Sequence, residues 1–61
     1  MNELERVLLA LEAQKRSRVE ALYGSPAQDI STYRERVGEI RGIDISIGEI
    51  EALISEEDDD E

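Results

Sequence analysis

Residues 41–50 read "RGIDISIGEI", and two periods compete for them. Ile43, Ile45 and Ile47 alternate with Asp44 and Ser46, the period of a half-buried strand. Ile40, Ile43, Ile47 and Ile50 fall at helical spacing, and Gly42 and Gly48 interrupt either pattern. A wider window decides between them. From Ile30 the apolar positions are Ile30, Tyr33, Val37, Ile40, Ile43, Ile47, Ile50 and Ile54, with gaps of 3, 4, 3, 3, 4, 3 and 4. That is the helical signature sustained over many turns. A strand at 43–47 would need a second strand, and nothing else in the chain alternates with period two. An isolated strand leaves its backbone groups unpaired. The spacing therefore predicts a helix over residues 30–55. Gly38, Gly42 and Gly48 each cost about 1 kcal/mol relative to Ala in a helix interior, which leaves room for a kink near 42–48.

Upstream, residues 2–23 also read as a helix. Leu4, Leu8, Leu11, Val19 and Leu22 lie near one face with Val7 beside them, among good helix formers. Asn2 is the expected N-cap, with Glu3 and Glu5 in the first turn where the helix dipole favours acids. Gly24 is the expected C′ residue, and Pro26 cannot continue the helix. Two restarts compete. Ser25 can cap with Pro26 at the first position and Gln28 closing a capping box. Asp29 can cap a helix beginning at Ile30, and we favour it, with residues 25–28 as a tight turn. Connections this short join antiparallel neighbours. The expected fold is all-α, a two-helix antiparallel hairpin over residues 1–55 with a disordered acidic tail at 56–61.

A chain of 61 residues without Cys or His has few ways to hold itself together. At this size only about 60% of the unfolded surface is buried on folding. Disulfides and the usual zinc sites are excluded, so oligomerisation or docking onto a partner is the expected remedy. No apolar run approaches the roughly 20 residues of a membrane span, and the acids in "MNELERVLLALEAQ" do not fit a signal peptide. No membrane association is expected.

The formal charge of −9 is unevenly placed. Acids and bases cancel over residues 1–23 and again over 24–42, so the excess lies in residues 43–61, with nine acids and no base. The run "EEDDDE", 56–61, lacks the spaced ligands and turning glycine of a calcium loop, so no metal is expected there. Nucleophilic catalysis needs an activated nucleophile beside a base of near-neutral pKa. Only carboxylates and Lys15 are at hand, and two helices cannot wall off the pocket that would tune them. The chain is read as no enzyme, with no catalytic residue and no cofactor.

Two surfaces stand out as contact sites. Placing Leu22 beside Ile30 sets residue i of the first helix opposite about residue 52 − i of the second. Lys15, Arg16 and Arg18 then gather with Arg34 and Arg36 in a basic tip near the turn. That tip suits an acidic protein surface. Nucleic acid is disfavoured by the net charge and by having only Tyr23 and Tyr33 for stacking. In the same register the last turn of the second helix overhangs, baring Ile50, Leu53 and Ile54. Gly42, Ile45 and Gly48 lie toward its outward side. These six residues form the expected partner-binding surface.

The stretch "DISTYRERVGEIRGIDISIGEI", 29–50, resembles the second helix of short hypothetical proteins from tailed-bacteriophage genomes. Asp29, Tyr33-Arg34, Val37-Gly38-x-Ile40-x-Gly42-Ile43 and Glu49-Ile50 carry the resemblance. The leading Leu- and Glu-rich helix and the acidic tail fit the same pattern, and Gly48 departs from it. The resemblance implies a small accessory protein of the phage head, neck or tail region, located in the virion or the host cytoplasm. Its expected partner is a virion protein or a second copy, as a homo-oligomer. A phage inhibitor of a host protein, with its acidic tail imitating nucleic acid, and a plain oligomerisation hairpin are the rival readings.

Overall fold

The computed structural model describes residues 1–24 and 29–59, with side chains through Glu57. Two helices make up the fold, α1 from Glu3–Gly24 and α2 from Ile30–Asp59. They pack side by side as an antiparallel hairpin measuring 51 × 18 × 12 Å. The radius of gyration is 14.6 Å. A globular chain of this length would have about 10.5 Å. The molecule is a rod because two helices have no third layer to wrap around.

Both helix starts are built by the residues the sequence marks. The Glu5 amide donates to Asn2 Oδ1 at 2.8 Å, and the Arg6 amide donates to the Asn2 carbonyl at 3.1 Å. The second start repeats this geometry. The Thr32 amide donates to Asp29 Oδ1 at 2.8 Å, and the Tyr33 amide donates to the Asp29 carbonyl at 3.2 Å. Each cap satisfies amides that otherwise have no partner in the first turn. The restart at Asp29 is thus the one used. The rival cap at Ser25 and the turn 25–28 lie outside the described residues.

The ends differ from expectation. Gly24 is the last residue of α1 and no glycine has a positive φ, so Gly24 is not a left-handed cap. The second helix runs to Asp59, four residues past the expected end at 55. Glutamate is a good helix former and backbone bonding propagates one residue at a time, so the helix enters the acidic run. Residues 60 and 61 lie outside the described residues. Through the glycines α2 is unbroken. The Ser46 hydroxyl donates to the Gly42 carbonyl at 3.1 Å, a back-bond that bends helices gently rather than breaking them.

Two ion pairs fix the register. Lys15 Nζ lies 2.6 Å from Asp44 Oδ1, and Arg18 Nη1 donates to Glu39 Oε2 at 2.6 Å. The numbers in each pair add to 59 and 57, so residue i of α1 is level with about residue 58 − i of α2. Leu4 then lies level with Ile54, Leu8 with Ile50, Leu11 with Ile47 and Leu22 with Arg36, and all eight are half-buried. The expected register of 52 − i is off by nearly two turns. It assumed that the helices meet at Leu22 and Ile30. The first turn of α2 instead projects past the end of α1.

That shift changes which residues face inward. The half-buried positions are Leu4, Leu8, Leu11, Lys15, Val19 and Leu22 on α1, and Arg36, Ile40, Ile43, Ile47, Ile50 and Ile54 on α2, with Thr32, Val37 and Ser46 at its edges. Each six-residue stripe advances 18 residues in five steps, the 3.6 of a straight helix. The stripe expected from Ile30 to Ile54 advances 24 residues in seven steps, about 3.4, and must drift around a straight helix. Its first two members accordingly leave the interface, with Ile30 61% and Tyr33 48% exposed.

The caps give two measurable outcomes. Asn2→Ala should cost about 1 kcal/mol in thermal or denaturant unfolding. The backbone amide of Thr32, then its hydroxyl, hold the Asp29 carboxyl below its ordinary value of 3.8. The resulting stabilisation is present above the unfolded-state pKa and is lost as pH falls through the lower folded value. Asp29→Asn keeps a capping side chain and should flatten the part of the acid-side loss of helicity that wild type shows beyond it, read by circular dichroism.

Candidate interaction surface

Side-chain burial in the hairpin is partial everywhere. No described residue is fully buried. Val7, Leu9, Ile45, Leu53, Tyr23, Ile30 and Tyr33 are all more than 40% exposed. Shallow grooves flank the helix–helix seam among the described residues. One is lined by Glu12, Lys15, Arg16, Val19, Asp44 and Ile47 among others. The opposite one is lined by Gln14, Arg18, Glu39, Gly42, Ile43 and Ser46. The first groove is charged, whereas the second has an uncharged centre at Gln14, Gly42 and Ser46.

The expected partner-binding residues divide into two groups. Ile45 is 59% exposed on the side away from α1, and Leu53 is 45% exposed. Gly42 and Gly48 are also exposed. Ile50 and Ile54, in contrast, are half-buried against α1, level with Leu8 and Leu4. They belong to the hairpin seam because the observed register covers that end of α2. The overhang is shared between the two ends, with residues 30–33 beyond the turn end of α1 and residues 56–59 beyond its start.

The basic tip is likewise redistributed. Lys15 is half-buried within the apolar stripe and reaches out to Asp44, so its stem packs while its ammonium stays wet. Arg18 pairs with Glu39. Arg36 is half-buried, and Arg16 and Arg34 are exposed. Lys15 and Arg16 are level with about residues 43 and 42 and lie along the middle of the rod, whereas Arg18 and Arg36 stay together, lining one groove with Ala21 and Glu39. The two cross-helix acids, Asp44 and Glu39, were not singled out by the sequence. The signal for Lys15 was present in the eight-residue gap between Leu11 and Val19, whose midpoint it occupies.

Charge polarity survives the change of register. Among the described residues, 15–24 and 29–42 form the turn half of the rod. They hold six bases (Lys15, Arg16, Arg18, Arg34, Arg36, Arg41) and four acids (Glu20, Asp29, Glu35, Glu39), a formal +2. Residues 1–14 contribute −2 and residues 43–61 contribute −9, so the open half carries −11. Among the described residues no cluster of three metal-ligating side chains occurs, and no helix is long and apolar enough to cross a membrane. Comparison with family models, curated proteins and solved structures gives no match.

The seam and the outward face should respond differently to truncation. Ile47→Ala removes a half-buried side chain and should cost about 1–2 kcal/mol. Ile45→Ala should stay within about 0.5 kcal/mol in the same unfolding experiment. A double-mutant cycle on Lys15 and Asp44, whose side chains are 39% and 50% exposed, should return under about 1 kcal/mol.

Proposed function

We propose that this chain is a small non-enzymatic structural or accessory protein of a tailed bacteriophage, which packs on itself or on a larger virion protein of the head, neck or tail region. One observation carries the packing role: a folded hairpin in which no described residue is fully buried. Its large side chains, Val7, Leu9, Ile45 and Leu53 among them, are left for another surface to cover. The resemblance of residues 29–50 to phage hairpins supplies the setting. The open grooves among the described residues offer contact area to another surface.

The −11 of the open half favours one second reading, an inhibitor that presents its acidic end to a basic host surface. The two separate on deletion of residues 56–61. A virion component should retain most of its incorporation without them, whereas an acid-led inhibitor should lose its target. Mass spectrometry of purified particles and assembly intermediates tests the first reading, which expects the chain in at least one of them. Absence from all of them would overturn it.

A further inference from the structure

We propose that the hairpin completes itself as an antiparallel two-fold dimer, a four-helix bundle joined through the groove whose uncharged centre is Gln14, Gly42 and Ser46, with the Arg18–Glu39 pair at its edge. This deepens the packing role above and rests on it. The first argument is area. The chain exposes 4936 Å². A compact protein of 6.9 kDa would expose about 4,000 Å². By the same relation a compact dimer of twice that mass would expose about 6,600 Å², so each copy would bury about 1,600 Å², within the range of permanent homodimers.

The second argument selects the face. Steps of seven residues keep to one side of a helix, which carries Val7 to the side of Gln14 and Leu53 to the side of Ser46. On α1 the stripe Val7, Ala10, Gln14, Ser17 has no charge. Val7 and Leu53, 44% and 45% exposed, sit at its open end. Gly42 lies in the groove at the centre of this face. A Cβ built there would meet nothing within 4 Å, so nothing inside the hairpin requires glycine. A second copy's helix closing over Gly42 does.

The third argument sets the direction. Stacking two hairpins parallel places one −11 half on the other, whereas the antiparallel arrangement places each −11 half on a +2 half. In the antiparallel bundle α1 lies over α1 of the second copy, and α2 over α2. A two-fold axis beside Gln14 passes midway between Gly42 and Ser46, given the observed register. Val7 then meets Ala21 of the second copy. Glu49, on the rim, comes level with Glu39 of the second copy, so two carboxylates share the Arg18 guanidinium there, and Leu53 comes level with Glu35. Ile45 lies outside this interface.

The chain has no cysteine, so single cysteines report individual contacts. Sedimentation equilibrium of the full chain at micromolar concentration should give twice the 6.9 kDa chain mass. Gln14→Cys should oxidise to a disulfide-linked dimer, because the axis brings the two copies of residue 14 together. Val7→Cys should not, since its copies stand 14 residues apart along α1, about 21 Å. Gly42→Leu should raise the helicity of the monomer while weakening dimerisation at least tenfold. A helical monomer, a dimer in which Gln14→Cys fails to link, equal linking through Val7→Cys, or an unchanged dimer in Gly42→Leu each overturns the proposal. Particle incorporation is a separate readout. A chain present in virions but monomeric defeats the dimer alone, and a dimer absent from particles defeats the phage role alone.

Discussion

Two helices touch along one line each, and that geometric limit governs the rest of the molecule. A side chain on the seam is covered by one neighbouring helix and remains open to water on either side. Leu4, Leu8 and Leu11 on α1 and Ile47, Ile50 and Ile54 on α2 are therefore half-buried, and no described residue reaches full burial. Isolated helices are marginal in water, and most helical stability in proteins comes from packing an apolar face. The seam therefore holds the helices to one another without forming a core. Surface ion pairs add little, so Lys15–Asp44 and Arg18–Glu39 mark the register without holding it, and the meshing of the two apolar stripes contributes more.

Register is where local and long-range physics separate in this chain. The caps at Asn2 and Asp29, the helix type and the inward stripe near the middle of each helix are all decided within a few residues, and all were legible in the sequence. The pairing of α1 with α2 was not. It depends on how far the first turn of α2 projects past Gly24, which spacing within either helix does not constrain. The observed register, nearly two turns from the expected one, puts Ile50 and Ile54 in the seam rather than in a bare overhang, and Lys15 in the stripe rather than at the tip. The end at Asp59 was missed for a different reason. Mutual repulsion of the acids along 56–59 argues for an earlier end, but helix propensity and the cooperativity of an already long helix carry it to Asp59.

The same register explains the electrical asymmetry. Acids and bases are mixed in the turn half, where Arg18 and Glu39 face each other across the seam. At the open end Glu3 and Glu5 stand level with residues 55 and 53, and Glu56 and Glu57 project beyond them. Repulsion there acts within the Debye length of about 10 Å at 0.1 M salt, so it is felt at low ionic strength and fades at high. The open end is consequently the part of the hairpin most sensitive to salt and to an opposing positive charge.

The glycines bring these constraints together. Gly38, Gly42 and Gly48 together cost about 3 kcal/mol relative to alanine in a helix. A chain of this length has roughly 3–9 kcal/mol of total stability to draw on. None of the three is held by a contact that a Cβ would disturb, and none adopts a positive φ. Their cost is thus comparable with the stability of the whole hairpin and is not recovered inside it. Either the hairpin is marginal by itself, or the cost is offset where another helix backbone comes close enough to need the missing Cβ. The dimer proposed above bears on Gly42 alone, since Gly48 lies on another side of α2. In that arrangement the hairpin is half of a structure, and the glycine at position 42 marks the side on which the other half belongs.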